Sequence, residues 1–253
     1  MRILLLDIET RPIMAYVWGI WKQNVGLNQI VEDWSILTYA ARFLGEDYTY
    51  YDTAKGKKDD KGCLQTLWTL LDEADVVIAH NGERFDVPKV NARFLEYGML
   101  PPSPYKQIDT LKVAKRNFRL TSNRLDYIAK FLGYEGKMET GGMALWIECM
   151  NGVAAAWDKM LDYNIKDVDI LEWVYMELRP WIHNHPNIGL YDEDETTRCP
   201  ACGGDHLTYR GFAYTVVGKY QRFVCNDCGK WGRLAENVLP KNKRKKLARN
   251  IAS

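Results

Sequence analysis

Near the start of the chain an apolar run ends in acid: Ile3-Leu4-Leu5-Leu6 leads into Asp7-Ile8-Glu9-Thr10. A short, continuous apolar run reads as a buried strand. Side chains alternate across a strand, so Asp7 and Glu9 share a face. Two carboxylates in apolar surroundings repel each other and lose hydration. A shared proton or a bound cation relieves both costs, so the pair points to a divalent-metal site. An exposed strand end with two solvated acids is the competing reading. Further on, Val76-Val77-Ile78-Ala79 breaks at His80-Asn81-Gly82, and Asp86 follows just before a helix. There it serves either as a helix N-cap or as another acid at a strand end. Tyr163 and Asp167 are four apart, which on a helix brings a phenol and a carboxylate to one point. An ordinary surface pair on an amphipathic helix has the same spacing, with Leu161, Ile165, Val168 and Leu171 as the packing side.

A second set of ligand-type residues lies near the C-terminus. Cys199-Pro200-Ala201-Cys202-Gly203 and Cys225-Asn226-Asp227-Cys228-Gly229 are separated by 22 residues. Each Cys-x-x-Cys can grip one side of a tetrahedral Zn²⁺, and the glycine after each pair permits a tight turn. Two such pairs favour metal over redox exchange, and they point to a reducing compartment rather than a disulfide framework. Cys63 and Cys149 stand alone. Tyr209 to Val217 and Tyr220 to Val224 read as a hairpin about Gly218-Lys219, which completes a zinc-ribbon pattern. A module this small needs its metal to fold.

These residues need elements to hold them. Leu4 to Asp7, Ser35 to Leu44, Tyr48 to Tyr51 and Val76 to Ala79 read as strands. Gly45-Glu46-Asp47 is a turn, and Ala54 to Lys61 is a charged loop. Cys63 to Ala74 has helical periodicity through Leu64, Leu67, Trp68 and Leu71. Pro88 to Tyr97 is a helix with proline in its first turn. Asp109 to Asn117, Asn123 to Leu132 and Ala154 to Leu178 are further helices. Strands alternating with helices, the early strands antiparallel, predict a mixed α/β sheet with helices on its faces. Ligands in such folds collect at strand ends. The acid run Asp192-Glu193-Asp194-Glu195 marks a linker. The domains expected are therefore 1–190, a linker at 191–197, a small module at 198–240 and a basic tail at 241–253.

The chain has 253 residues, 47% of them hydrophobic and 12% aromatic, enough for one sizeable core and an appendage. No apolar run approaches the roughly 20 residues of a membrane span, and no signal peptide is visible. A cytoplasmic protein is expected, its size together with the cysteine module fitting a microbial or viral origin. The net charge of +1 hides an asymmetry: residues 198–253 hold 12 Lys/Arg and 3 Asp/Glu, while the remainder is net acidic. An acidic body with a basic end fits metal binding joined to polyanion binding. Arg210, Lys219 and Arg222 interleave with aromatics, a pattern able to stack bases and track phosphates. Lys243, Arg244, Lys245 and Lys246 form a phosphate-binding or simply solvated tail. Trp18, Trp21 and Trp34 suit a stacking wall near the acids, and suit a core equally.

The three acidic segments, in this order and spacing, resemble the DEDD superfamily of 3′–5′ exonucleases in its tyrosine-bearing branch, which includes proofreading domains of DNA polymerases. The resemblance covers roughly residues 1–180. Asp7 and Glu9 match the first motif. Asp86, after its Asn-Gly turn, matches the second, and Tyr163 with Asp167 the third. The histidine-bearing branch would need His at position 162, which is Asp. Ile108 to Leu111 and Leu125 to Gly133 also look like family segments. The resemblance implies a ribonuclease H-like fold with a five-stranded mixed sheet, and two Mg²⁺ or Mn²⁺ ions held by Asp7, Glu9, Asp86 and Asp167. Asp7 would bridge the ions, Glu9 and Asp167 would complete the water-activating site, and Tyr163 would orient the water. Asn81 would approach the nucleic acid. The implied function is hydrolysis of single-stranded ends, DNA ahead of RNA. The alternative is a catalytically silent scaffold that binds nucleic acid or protein through its ribbon.

Overall fold

Continuous apolar runs build the centre of the sheet. In the computed structural model, residues 1–56, 59–134, 141–191 and 193–249 are described. Lys57 and Lys58 of the expected charged loop, Asp192 of the expected linker and the last four residues of the expected tail lie outside them. The elements in chain order are β1 (Ile3–Thr10), β2 (Met14–Ala15), β3 (Ile30–Glu32), β4 (Ile36–Phe43), β5 (Tyr50–Thr53), α1 (Lys61–Glu73), β6 (Val76–Ala79), α2 (Asp86–Glu96), β7 (Lys106–Asp109), α3 (Thr110–Asn117), α4 (Leu125–Phe131), α5 (Met143–Met150) and α6 (Ala154–Leu178). They are followed by β8 (Leu207–Thr215), β9 (Gly218–Cys225), β10 (Trp231–Asn237) and the short α7 (Lys241–Lys245). The chain divides into two compact units, Met1–Met176 and Glu177–Ser253.

The first unit holds a five-stranded sheet in the order β5-β4-β1-β6-β7. β1 pairs antiparallel with β4 and parallel with β6. β4 and β5 are antiparallel, and β6 and β7 parallel. This is the expected mixed α/β sheet. Strand alternation sorts β1 into two faces. Leu4, Leu6 and Ile8 join one buried cluster with Leu64, Leu67 and Leu71 of α1 and Val90 and Phe94 of α2. Asp7 and Glu9 point the other way. On that side Leu37 of β4 packs with Leu145 and Cys149 of α5 and Ala156, Trp157 and Met160 of α6. Arg42 of β4 ties α6 down through Asp169 at 2.5 Å and Glu172 at 3.2 Å.

Several expectations are corrected in detail. The packing stripe of α6 runs through Met160, Asn164, Val168 and Leu171, while Leu161 and Ile165 are only half-buried. Asp109, expected as the first residue of a helix, closes the edge strand β7 and caps α3, which starts at Thr110. Asp60, at the end of the charged loop, is fully buried. Its carboxylate accepts from Arg93 Nε and Nη2, from Tyr97 Oη and from Ile36 N at 2.7–2.9 Å, so its charge is paired and hydrogen-bonded.

The second unit carries the sheet β10-β9-β8, all antiparallel. The β8–β9 turn falls at Val216-Val217, two residues before the expected Gly218-Lys219. Gly218 is instead the first residue of β9, with no room for a side chain: a Cβ there would lie 2.5 Å from the Tyr220 ring.

Candidate metal centres

β1 presents Asp7 and Glu9 to α6, and α6 returns Asp167. One carboxylate oxygen from each lies within 4.8 Å of the others, so the three form a group fit to hold a metal ion. Asn164, buried in the middle of the α6 stripe, fixes the first acid. Its Nδ2 donates to Asp7 Oδ2 at 2.6 Å and to the Asp7 carbonyl at 3.2 Å. An amide in an apolar helical stripe was the available signal, and it went unread because the residue sits inside the Tyr-x-x-x-Asp motif.

Asp86 comes from the start of α2. β6 pairs with β1 only from Ile3 to Leu5, which leaves the upper edge of β1 without a strand partner on that side. Asp86 Oδ1 accepts from Ile8 N there, at 3.1 Å. The helix N-cap position belongs to Phe85, so Asp86 is the first helical residue rather than the cap. It stands outside the three-carboxylate group, but its charge still acts on Asp7 and Glu9. The turn that delivers it is tight. Asn81 adopts φ +73°, its N–H bound to Asp109 Oδ1 at 2.9 Å. A Cβ on Gly82 would lie 2.4 Å from the Ala79 Cβ.

Burial is the largest cause of an upward pKa shift in all four acids. Mutual repulsion adds to it at Asp7, from Asp86, Glu9 and Asp167, and at Glu9, from Asp167 and Asp86. Asp7 is held well above the usual carboxylate range. Glu9 is pushed up to about 8, Asp86 to about 7 and Asp167 to about 6. Among the described residues, no lysine or arginine forms an ion pair with any of the four. Crowded acids without a protein cation attract either protons or metal ions, and hard divalent ions prefer such oxygen donors. The donor set fits a divalent metal.

Two aromatic residues close the centre. Tyr163 hydrogen-bonds Asp167, and burial with the neighbouring carboxylates pushes its phenol far above its ordinary value, so it keeps its proton. Trp146 of α5, which the sequence reading missed, hydrogen-bonds the Glu9 carboxylate. Its ring stands edge-on to Tyr163, centroids 6.4 Å apart.

The second unit brings its four cysteines together, all Sγ atoms within 4.8 Å. Cys199–Cys228 and Cys202–Cys225 are each 3.6 Å apart. A tetrahedron with Zn–S near 2.3 Å has edges of about 3.8 Å, whereas a disulfide needs about 2.05 Å. The spacing fits zinc. The two loops repeat one geometry: Gly203 N and Gly229 N donate to Cys199 O and Cys225 O, each at 2.9 Å, with φ +76° at both glycines. His206 turns away to Asp227 at 2.8 Å. Lys219 lies over the Phe212 ring at 3.8 Å, and Arg222 over Trp231 at 4.7 Å. Arg222 Nε also donates to the Arg210 carbonyl. Lys243 to Lys246 are exposed, the first three within α7.

Helices on both faces of a five-stranded mixed sheet, with acids at the end of its central strand, define a ribonuclease H-like protein. The family comparison agrees: the RNase_H superfamily profile matches residues 4–179, and the chain belongs to that superfamily. Among solved structures it resembles the family B DNA polymerase from the hyperthermophilic archaeon Pyrobaculum calidifontis, with a TM-score of 0.52 and 17% identity. That likeness covers 71% of this chain but only 24% of the polymerase, and at this identity it concerns the fold. No curated protein matches the sequence. Among the described residues, no helix is long and apolar enough to cross a membrane.

Proposed function

We propose that the protein is a metal-dependent 3′–5′ exonuclease acting on single-stranded nucleic-acid ends, DNA in preference to RNA. The observation that carries this is the convergence of Asp7, Glu9 and Asp167 within ligand distance, with Asp86 close enough to raise the first two. The polarity and substrate follow from the resemblance to the tyrosine-bearing DEDD branch. Asp7, Glu9 and Asp167 would hold divalent ions, with Asp86 supporting from the α2 side. When bound, such ions supply Lewis-acid stabilisation and an activated water for in-line displacement at phosphorus. Asn164 keeps Asp7 aimed. Tyr163 stays protonated and gives its O–H to Asp167, so its oxygen is left to accept from a water, which suits it to orient that water rather than to remove its proton.

The cysteine unit is proposed to hold one structural Zn²⁺. Its exposed cations and the basic segment Lys243–Lys246 are proposed to contact phosphates and raise affinity for the strand.

Digestion of 5′-labelled and 3′-labelled DNA and RNA strands tests the proposal, with Mg²⁺, Mn²⁺ or EDTA. A 5′-labelled strand should shorten progressively from its other end only when metal is present. Asp7→Ala should end cleavage while leaving the fold intact. Tyr163→Phe should slow cleavage and leave Mn²⁺ affinity unchanged. Cleavage in EDTA, or by folded Asp7→Ala, would refute the metal-centre reading.

A further inference from the structure

β1 does not stop at its acids. Two residues beyond Glu9 the chain leaves the sheet as an arm and re-enters it at Ile36, whose backbone partner is Thr10. At about 3.3 Å per residue, the root of this arm lies roughly 7 Å along the strand from Glu9. The root is fastened: Arg11 N donates to Ser35 O at 2.9 Å, and Arg11 pairs with Glu32 at 2.5 Å. Midway, Tyr16 and Gln29 exchange two hydrogen bonds, from Tyr16 N to the Gln29 carbonyl and from Gln29 Nε2 to the Tyr16 carbonyl. β2 and β3 pair between these ties. The backbone is therefore tied from its root to Tyr16 and Gln29, and the turn beyond those ties carries side chains that are not buried. Trp18 is 99% exposed, Trp21 80% and Tyr16 77%. Trp34 belongs elsewhere, half-buried with Lys89 Nζ 3.6 Å from its ring centroid.

Large rings held out in water at the end of a tied arm ask for a partner. Composition limits what it is. Residues 12–31 contain no acid, a single lysine, and the amides Gln23, Asn24, Asn28 and Gln29 among the rings. This acid-free stretch begins beside a centre dense in carboxylates, and the acids of the arm, Glu32 and Asp33, lie where it returns to the sheet, Glu32 paired with Arg11, so a polyanion meets little repulsion along residues 12–31. Rings with amides and almost no charge match nucleobases, which stack on one and hydrogen-bond with the other. We infer that the arm is a base-stacking platform on which Trp18 and Trp21 take up unpaired bases of a single strand on its way to the acids. The inference rests on the nuclease reading of that same centre, and specifies how its substrate is gripped.

The test is the affinity of full-length protein for a short fluorescent oligo-deoxythymidine, measured without added divalent cation. A second strand of the same length lacks its bases. Trp18→Ala/Trp21→Ala should bind the normal strand at least about ten-fold more weakly, from the usual worth of a base–aromatic stack. Trp18→Phe/Trp21→Phe should recover most of that loss. Abasic strand should bind wild type and both variants alike. Equal affinity of the alanine variant for the normal strand would overturn the inference. So would loss of cooperative unfolding in that variant, because the rings would then be packing groups. A sedimentation mass that halves in the alanine variant while strand binding persists would assign the arm to a second copy of the chain, and overturn it too. Because no cleavage is read, a wild type that binds by its arm and cuts nothing would sink the nuclease reading and leave the platform standing.

Discussion

At the scale of residues, the centre is defined by charge it cannot neutralise alone. Glu9 ordinarily titrates near 4.5 and here near 8. A carboxyl with a raised folded pKa binds more protons folded than unfolded, so its contribution to stability is complete below the ordinary value and lost as pH climbs through the raised one. Metal-free protein should therefore melt at lower temperature at pH 8 than at pH 5. In Glu9→Gln the decline should be shallower, and Mn²⁺ should offset it in the wild type alone. A melting series with and without Mn²⁺ checks this; a steeper decline in the variant would contradict it. Trp146 acts on the same acid from the other side, since its hydrogen bond favours the ionised form of Glu9. Trp146→Phe keeps a ring against Tyr163 but removes that donor. Mn²⁺ affinity should fall roughly three- to ten-fold, a fraction of what a hydrogen bond to a charged group is worth. Unchanged affinity by calorimetry would make Trp146 packing only. The acids and Tyr163 were legible because their spacing is strict and lies on strong elements. Trp146 was not, because a lone tryptophan carries no spacing at all.

Elements were legible in proportion to their apolar pattern. β1, β6 and α6 declare themselves through unbroken or periodic hydrophobic runs. β7, Lys-Gln-Ile-Asp, buries one apolar side chain and sits at the sheet edge, so only its pairing with β6 makes it a strand. α5 reads Met-Ala-Leu-Trp-Ile-Glu-Cys-Met, apolar nearly all round, and lacks the polar stripe that marks a surface helix. β10 mixes Gly, Arg and Glu and is recruited by β9. The turn between β6 and α2 shows why element ends matter to chemistry, since it sets where Asp86 begins. Gly82→Ala forces a contact on Ala79 that the turn must absorb. A loss of about 1–3 kcal/mol is expected from such overpacking, with cleavage reduced beyond what the remaining folded fraction explains. Denaturant titration beside single-turnover cleavage separates the two effects; wild-type values in both would show the turn to be tolerant.

Over the whole molecule, two units divide the candidate metal ligands by donor chemistry. Oxygen donors lie in the first unit, and thiolates in the second. Cys199→Ser/Cys228→Ser should release one zinc per chain. Amides of β8, β9 and β10 should then lose hydrogen-exchange protection, while those of β1 and β4 keep theirs. Equal loss in both units would mean that they do not fold separately. The cysteine spacing pointed to one cluster of thiols, which the second unit brings together, but sequence left Trp18 and Trp21 open between stacking wall and core, because exposure is set by how the arm leaves the sheet. The most direct measurement is anomalous scattering from crystals of the intact protein soaked in Mn²⁺, recorded at the manganese and zinc edges. Manganese is expected among Asp7, Glu9 and Asp167, and zinc among Cys199, Cys202, Cys225 and Cys228. Manganese that leaves those three carboxylates bare would contradict this.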